Sequence, residues 1–327
     1  MKTTPPNELR PTDTPGPPPL ADWVSEQARR LFDAEVKAAA QPLDDLAKAR
    51  AHYDLQNAER LLSMRRLFPA ETARREIAGV PVDVVVRAGQ APTLAADAPV
   101  LLCLHGGGFA WGAGAGALLE AVPIAVVSGI TVVAVDYRMA PEHRHPAAID
   151  DVVAVYRALL ADRPASRIGL YGCSAGGMLV AQVLAKLQAL HEPRPGAAAM
   201  MHATGIELGG DLLALAAMLT GDTTVSGVSR LISLPYFEGA DPADPLVFPG
   251  AHPDIVAGFP PSLLITSTRD FAASSVSVMH RRLLAAGIPA EFILFDGLWH
   301  AFHMSGELPE SQELYARVAD FFAGRLR

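Results

Sequence analysis

Residues 172–176 read Gly-Cys-Ser-Ala-Gly, between the apolar run Arg167-Ile-Gly-Leu-Tyr and an amphipathic stretch that begins Gly177-Met-Leu-Val. A serine so placed sits at a strand-to-helix corner, where glycines on both sides let a tight turn lift the Ser174 hydroxyl above a sheet edge at a helix N-terminus. A serine hydroxyl is a weak nucleophile at neutral pH. It needs a base within hydrogen-bond reach and a third group to fix the tautomer of that base. Asp270 closes the run Leu264-Ile-Thr-Ser-Thr-Arg, and His300 closes Phe295-Asp-Gly-Leu-Trp. Both would fall on loops at strand carboxyl ends, on the edge that carries Ser174. The segment His105-Gly-Gly-Gly-Phe109 follows a third apolar run, and its glycines let the backbone approach a substrate and aim N–H groups at a developing oxyanion. Gly107, Gly108 and Ala175 would supply three donors.

Other readings compete at several positions. Asp296 is closer to His300 in sequence than Asp270, but it would share the histidine's own loop and crowd it, so Asp270 is the expected partner. His105 opens a glycine loop, and the expected role there is to hydrogen-bond backbone and hold the loop rather than to act as base. His300 and His303 stand three apart, as two metal ligands would, yet no carboxylate or cysteine lies at matching spacing, and no metal or cofactor is expected. Cys173 should point away from Ser174 by strand alternation and pack in the core. Phe109 and Trp111 stay open between lining an acyl pocket and ordinary packing. Asp136, Arg138 and Glu142 read as a structural network beside the site.

The elements that must position these residues alternate from Arg74 onward. Strands are expected at Ile77–Arg87, Val100–Leu104, Ile130–Val135, Ile168–Gly172, Ala197–Ala203, Leu263–Thr266 and Glu291–Phe295, and helices from Ala148, Ala175, Ala272 and Pro309. This is an α/β pattern: a mostly parallel sheet covered on both faces, with ligands at the strand carboxyl ends. Two helical stretches precede it, Trp23–Phe32 and Leu43–Phe68. The run Ala121–Val135 reads as a helix end, a turn and a buried strand. The rhythm breaks between Gly205 and about Phe259, where a helix at Asp211–Leu219 precedes a Pro/Asp/Gly-rich stretch, the kind of insertion that forms a lid or binding element.

The chain has 327 residues, half of them apolar, with a net charge of −8 and a pI near 5.7. No dense Lys/Arg stripe appears, which argues against nucleic acid or an anionic membrane as partner and favours a neutral or cationic small molecule. Two cysteines, both at strand ends, suit free thiols in a reducing cytosol. Residues 1–20 hold seven prolines without the apolar core of a signal peptide, and are expected to be a disordered leader. A cytoplasmic location follows as the expectation. No apolar run reaches the about 18 residues of a membrane-spanning helix.

Five blocks taken in order resemble the hormonesensitive-lipase-like family of bacterial carboxylesterases with the α/β-hydrolase fold: His105-Gly-Gly-Gly-Phe, Asp136-Tyr-Arg-Met-Ala-Pro-Glu-His-Arg-His-Pro-Ala-Ala, Gly172-Cys-Ser-Ala-Gly-Gly, Pro260-Pro-Ser with Asp270, and His300. The resemblance spans about residues 69–327. It implies a catalytic domain there, a cap from the helices of 21–68 and the insertion at about 205–240, a Ser174–Asp270–His300 triad, and hydrolysis of short- to medium-chain esters, in some members by a homodimer. The same triad would serve a lactone hydrolase, an amidase or formamidase, or an acyltransferase. A ligand-binding protein without turnover is disfavoured because all three triad positions are filled. Three departures from the family pattern stand out: Cys173 where an acidic residue or Thr is usual, Phe-Ala-Ala-Ser-Ser after Asp270 where Leu and further acidic residues are common, and Ala301 where Gly usually follows the histidine.

Overall fold

Charged and apolar residues partition the chain into a central sheet and its covers. The computed structural model describes residues 17–38, 45–221 and 230–326. Its strands are β1 (Ala70–Ile77), β2 (Val80–Arg87), β3 (Val100–Leu104), β4 (Thr131–Val135), β5 (Ile168–Cys173), β6 (Ala197–Met201), β7 (Ser262–Arg269) and β8 (Ala290–Trp299). They form one sheet in the order β1-β2-β4-β3-β5-β6-β7-β8. β2 runs antiparallel to β1 and β4, and all pairs from β4 to β8 are parallel. Every residue of β3, β5 and β6 is buried, as expected of parallel strands covered on both faces. Along β3, Val100, Leu102 and Leu104 enter one core layer, and Leu101 and Cys103 the other.

Helices α4 (Ala147–Leu160), α5 (Ala175–Ala189) and α8 (Ala273–Ala285) close the first layer. Helices α3 (Ala115–Ser128) and α9 (Pro309–Ala323) close the second, where α1 (Glu26–Ala38) adds Ala28. Helix α2 (Leu46–Leu67) lies against α3. Among the described residues no helix is long and apolar enough to cross a membrane.

The structure corrects three expectations. The single strand read at Ile77–Arg87 is half of a hairpin: Ala78 and Gly79 both take positive φ, 51° and 81°, the geometry of a two-residue type I′ turn. The missing half, β1, carries Glu71, Arg74, Arg75 and Glu76 and has no buried residue, a charged edge strand that gives no apolar alternation to find. The expected disordered leader extends through residue 20, yet Arg269 donates to the carbonyls of Pro18 (2.7 Å) and Pro19 (3.1 Å) and Leu20 packs on the second core layer. The rest of that leader, residues 1–16, lies outside the described residues. In the insertion, α6 (Asp211–Thr220) is followed by residues outside the description. Beyond them Tyr236 and Phe237 are fully buried in the first core layer, so this part of the 205–240 segment belongs to the main body.

The corner that carries Ser174 is set by close approach. A Cβ on Gly172 would lie 2.5 Å from the Leu104 carbonyl oxygen, and one on Gly176 only 1.8 Å from it. Neither position has room for a side chain, so β3 and the start of α5 touch backbone to backbone. Gly176→Ala is therefore expected to cost about 3 kcal/mol or more from overpacking. Gly79→Ala, with nothing within 4 Å of its Cβ, should cost only the left-handed backbone term of about 1 kcal/mol. Denaturant unfolding of the two variants tests this; equal losses would contradict it.

Candidate active site

Ser174 stands between β5 and α5 with φ 55° and ψ −123°, a backbone state that non-glycine residues rarely adopt. His300 directly follows β8. Its Nε2 lies 2.9 Å from Ser174 Oγ, and its Nδ1 lies 2.7 Å from Asp270 Oδ1. A carboxylate only accepts, so Nδ1 carries the proton, Nε2 presents its lone pair, and the Ser174 hydroxyl donates to it. The three residues expected from sequence thus form one hydrogen-bonded line. Asp296 is exposed and instead accepts from Trp23 Nε1 (2.8 Å) and Thr268 Oγ1 (3.0 Å).

Asp270 is buried, and both its oxygens are fully engaged. Oδ1 accepts from His300 and from the Ala272 backbone N–H (2.9 Å). Oδ2 accepts from Thr266 Oγ1 (2.7 Å) and His202 Nδ1 (2.8 Å). Burial opposes its charge but is outweighed by His300 and by the hydrogen bonds from His202 and His300, which hold the carboxyl far below the usual carboxylate range. His202 is itself completely buried, and burial keeps its ring below the usual histidine range, hence neutral. Sequence reasoning missed His202. The available signal was its position immediately after β6, on the edge where Ser174, Asp270 and His300 gather. Phe271, one of the departures noted above, stacks on the His300 ring with centroids 4.2 Å apart.

The glycine loop after β3 is held from several sides. His105 is buried, and its Nδ1 lies 2.7 Å from the Gly106 carbonyl oxygen, to which it must donate. Its ring stacks on Tyr137 at 4.2 Å, and the Tyr137 hydroxyl donates to the His105 carbonyl at 2.6 Å. This is the loop-holding role expected of His105. From α2, Arg50 donates to the Ala110 and Ala140 carbonyls, both at 2.7 Å, and pairs with both oxygens of Glu142. Gly107 and Gly108 take φ of 111° and 59°. Among the described residues, neither of their N–H groups donates within the protein. Ala175 opens α5, where backbone N–H groups lack intrahelical partners.

Phe109 is corrected as a lining residue: it is fully buried, stacked on Tyr236 at 4.2 Å and edge-on to Phe237 at 5.5 Å. An aromatic side chain beside a core strand packs inward when its backbone turns it there, and Phe109 has φ 59°. Trp111 is half-buried and stacks on Tyr53 of α2 at 5.0 Å. Its ring would lie 3.5 Å from a Cβ on Gly108. Trp111 also lines a cavity of about 390 Å³ shared with Arg50, Asp54, Asp136 and Met139, whose walls do not include Ser174. Asp136, Arg138 and Glu142 make three separate ties, to Arg74 of β1, Asp151 of α4 and Arg50 of α2, rather than a network with one another. His303 does not join His300 as a ligand pair; it is buried and stacked parallel on His202 at 5.5 Å. Among the described residues two groups of metal-ligating types occur, His202–Asp270–His300 and Glu120–Cys173–His303. In the first, the carboxylate is already saturated by hydrogen bonds.

Comparison with known proteins agrees with this fold. Residues 101–304 match the family described by the alpha/beta hydrolase fold. The chain belongs to the α/β-hydrolase fold family. Within that family it is similar to an acetyl-hydrolase of Streptomyces hygroscopicus, 31% identical over 63% of this chain and 69% of the relative. It is also similar to an acetyl esterase of Salmonella paratyphi B, 26% identical over 79% and 82%. A crystal structure of an esterase from the bacterial hormone-sensitive lipase family superposes with a TM-score of 0.82 at 28% identity, covering 93% of this chain and 99% of that one. The hormone-sensitive-lipase-like assignment made from the five motif blocks therefore holds.

In an α/β-hydrolase built this way, Asp270→Asn should lower kcat by about 10⁴-fold through loss of the correct tautomer, whereas Asp296→Asn should leave it unchanged. Comparable losses in the two variants would reassign the third member. His202→Phe removes one hydrogen bond to a buried carboxylate, and steady-state kinetics should show kcat lowered by about 10- to 100-fold with little change in KM.

Proposed function

We propose that the protein is a cofactor-independent serine carboxylesterase that cleaves short- to medium-chain esters through an acyl-Ser174 intermediate. The observation that carries the reading is the line from Asp270 through His300 to the Ser174 hydroxyl, with Nε2 aimed at Oγ at 2.9 Å. The relatives named as an acetyl-hydrolase and an acetyl esterase support ester hydrolysis and a small acyl group.

His300 takes the Ser174 proton as Oγ attacks the ester carbonyl, and Asp270 stabilises the imidazolium that results. The negative charge moves to the carbonyl oxygen, which faces the N–H groups of Gly107, Gly108 and Ala175. Collapse of the tetrahedral intermediate breaks the bond to the alcohol, which leaves with the proton from His300. Water, deprotonated by the same ring, then attacks the acyl carbonyl; a second collapse releases the acid and returns the proton to Ser174. Helices α1, α2 and α6 serve as the cap in this reading. Trp111, clamped between Tyr53 of α2 and Gly108, bounds the substrate beside the oxyanion donors, which favours short chains over long ones.

Hydrolysis of p-nitrophenyl esters from acetate to dodecanoate should peak at a short acyl chain and be abolished in Ser174→Ala. A profile that rises to the longest chain, or a Ser174→Ala variant with wild-type turnover, would overturn the assignment.

A further inference from the structure

Behind the nucleophile elbow lies a buried carboxyl that the reaction does not consume. Glu120 of α3 is fully buried, and its Oε1 accepts the backbone N–H of Gly106 at 2.7 Å. Gly106 immediately precedes the two oxyanion glycines. Its carbonyl is pinned from the other side by His105 Nδ1, so both polar groups of this residue are fixed and the N–H groups of Gly107 and Gly108 are left to face substrate. The contact is close to the chemistry: a Cβ on Gly106 would lie 3.4 Å from Ser174 Cβ and 3.5 Å from Glu120 Oε1.

The same carboxyl answers one departure from the family pattern. The residue before the nucleophile is Cys173 instead of the usual acidic residue, and its buried thiol belongs to the same small cluster as a Glu120 oxygen and a His303 ring nitrogen, all within 4.8 Å of one another. We propose that Glu120, in its protonated form, is the positioning residue of the oxyanion loop, supplying from helix α3 a buried carboxyl beneath the elbow where the position of Cys173 supplies none. This rests on the esterase reading above.

The surroundings favour the neutral form. Facing the carboxyl are the thiols of Cys103 and Cys173, the phenols of Tyr137, Tyr171 and Tyr315, and the His303 ring. No cation is among them. Burial holds His303 well below the usual histidine range and so uncharged, with neither ring nitrogen hydrogen-bonded among the described residues. Burial pushes the Glu120 carboxyl up to about 8, partly offset by the backbone groups of Gly106 and Cys173. The sign follows directly. Below this value the group is neutral and the loop can accept an oxyanion; above it, a negative charge forms under the loop that must bind one, and the reaction slows.

The test is the pH profile of kcat/KM for p-nitrophenyl butyrate in wild type, Glu120→Gln and Glu120→Leu, with thermal unfolding to establish that each variant is folded. Wild type should lose activity on the alkaline side near pH 8. Glu120→Gln keeps an acceptor for Gly106 but cannot ionise, so its alkaline fall should disappear or move up by at least about one pH unit. Glu120→Leu leaves the Gly106 N–H without its partner, and kcat should drop by about 10- to 100-fold at every pH with KM little changed. The Gln variant should recover most of that loss. An independent readout is a protonated-carboxyl infrared band present at about pH 6, lost by about pH 9, and missing from Glu120→Gln. Coincident wild-type and Gln profiles, wild-type kcat in the Leu variant, or no such band would each overturn the role of Glu120. A wild type that shows the band yet hydrolyses no ester would overturn the esterase reading and leave the buried proton in place.

Discussion

The arrangement depends on keeping one negative charge inside the protein at Asp270. A carboxylate removed from water is costly unless each oxygen is met by donors. Here β7 supplies Thr266 and the turn after it supplies the Ala272 N–H, while His202 comes from the end of β6 and His300 from the end of β8. The sheet order sets β7 between β6 and β8, so the charge sits on the middle of three adjacent strand ends with a histidine from each neighbour. Only one of these rings reaches Ser174. The other must stay neutral and donating, because a second imidazolium would compete for the negative charge that stabilises protonated His300. Burial of His202 provides that condition.

The opposite half of the site is governed by the same economy of polar groups in a dry interior, solved with backbone. The loop from His105 to Phe109 has to leave the N–H groups of Gly107 and Gly108 free, so every neighbouring group that could drift is tied: Gly106 at both its N–H and its carbonyl, the His105 carbonyl by Tyr137, and the Ala110 and Ala140 carbonyls by Arg50. Arg50 comes from α2. Helix α2 therefore braces this loop, so a change in how α2 sits would reach the loop through a guanidinium.

Much of this was legible in the sequence because the informative residues announce a backbone requirement. Gly172, Gly176 and the glycines after His105 stand where a Cβ would meet a carbonyl or where φ is positive, and apolar runs before them mark buried parallel strands. The order of those runs located Ser174, Asp270 and His300 on one edge. What escaped had no such mark. β1 is charged and exposed, so its pairing with β2 is decided by the Ala78-Gly79 turn rather than by a pattern of its own. His202 and Glu120 are single polar residues whose meaning depends on what tertiary structure brings beside them. Phe109 was legible as an aromatic at the site but not in direction, since a positive φ at that residue turns its ring into the core against Tyr236.

The three departures from the family pattern have separate physical readings. Ala301 takes φ 57°, the left-handed state for which glycine is the usual choice, so this chain accepts a strain of about 1 kcal/mol at the turn that delivers His300. Phe271 replaces an aliphatic neighbour of the aspartate with a ring that lies flat on His300, restricting the imidazole to the plane in which Nδ1 meets Asp270 and Nε2 meets Ser174. Cys173 removes a polar group from beneath the elbow, and the nearest buried carboxyl comes instead from α3. The first two act on the base and the third on the oxyanion loop. Ala301 and Phe271 act beside the residue they serve, whereas the change at Cys173 is met across the fold by Glu120 of α3.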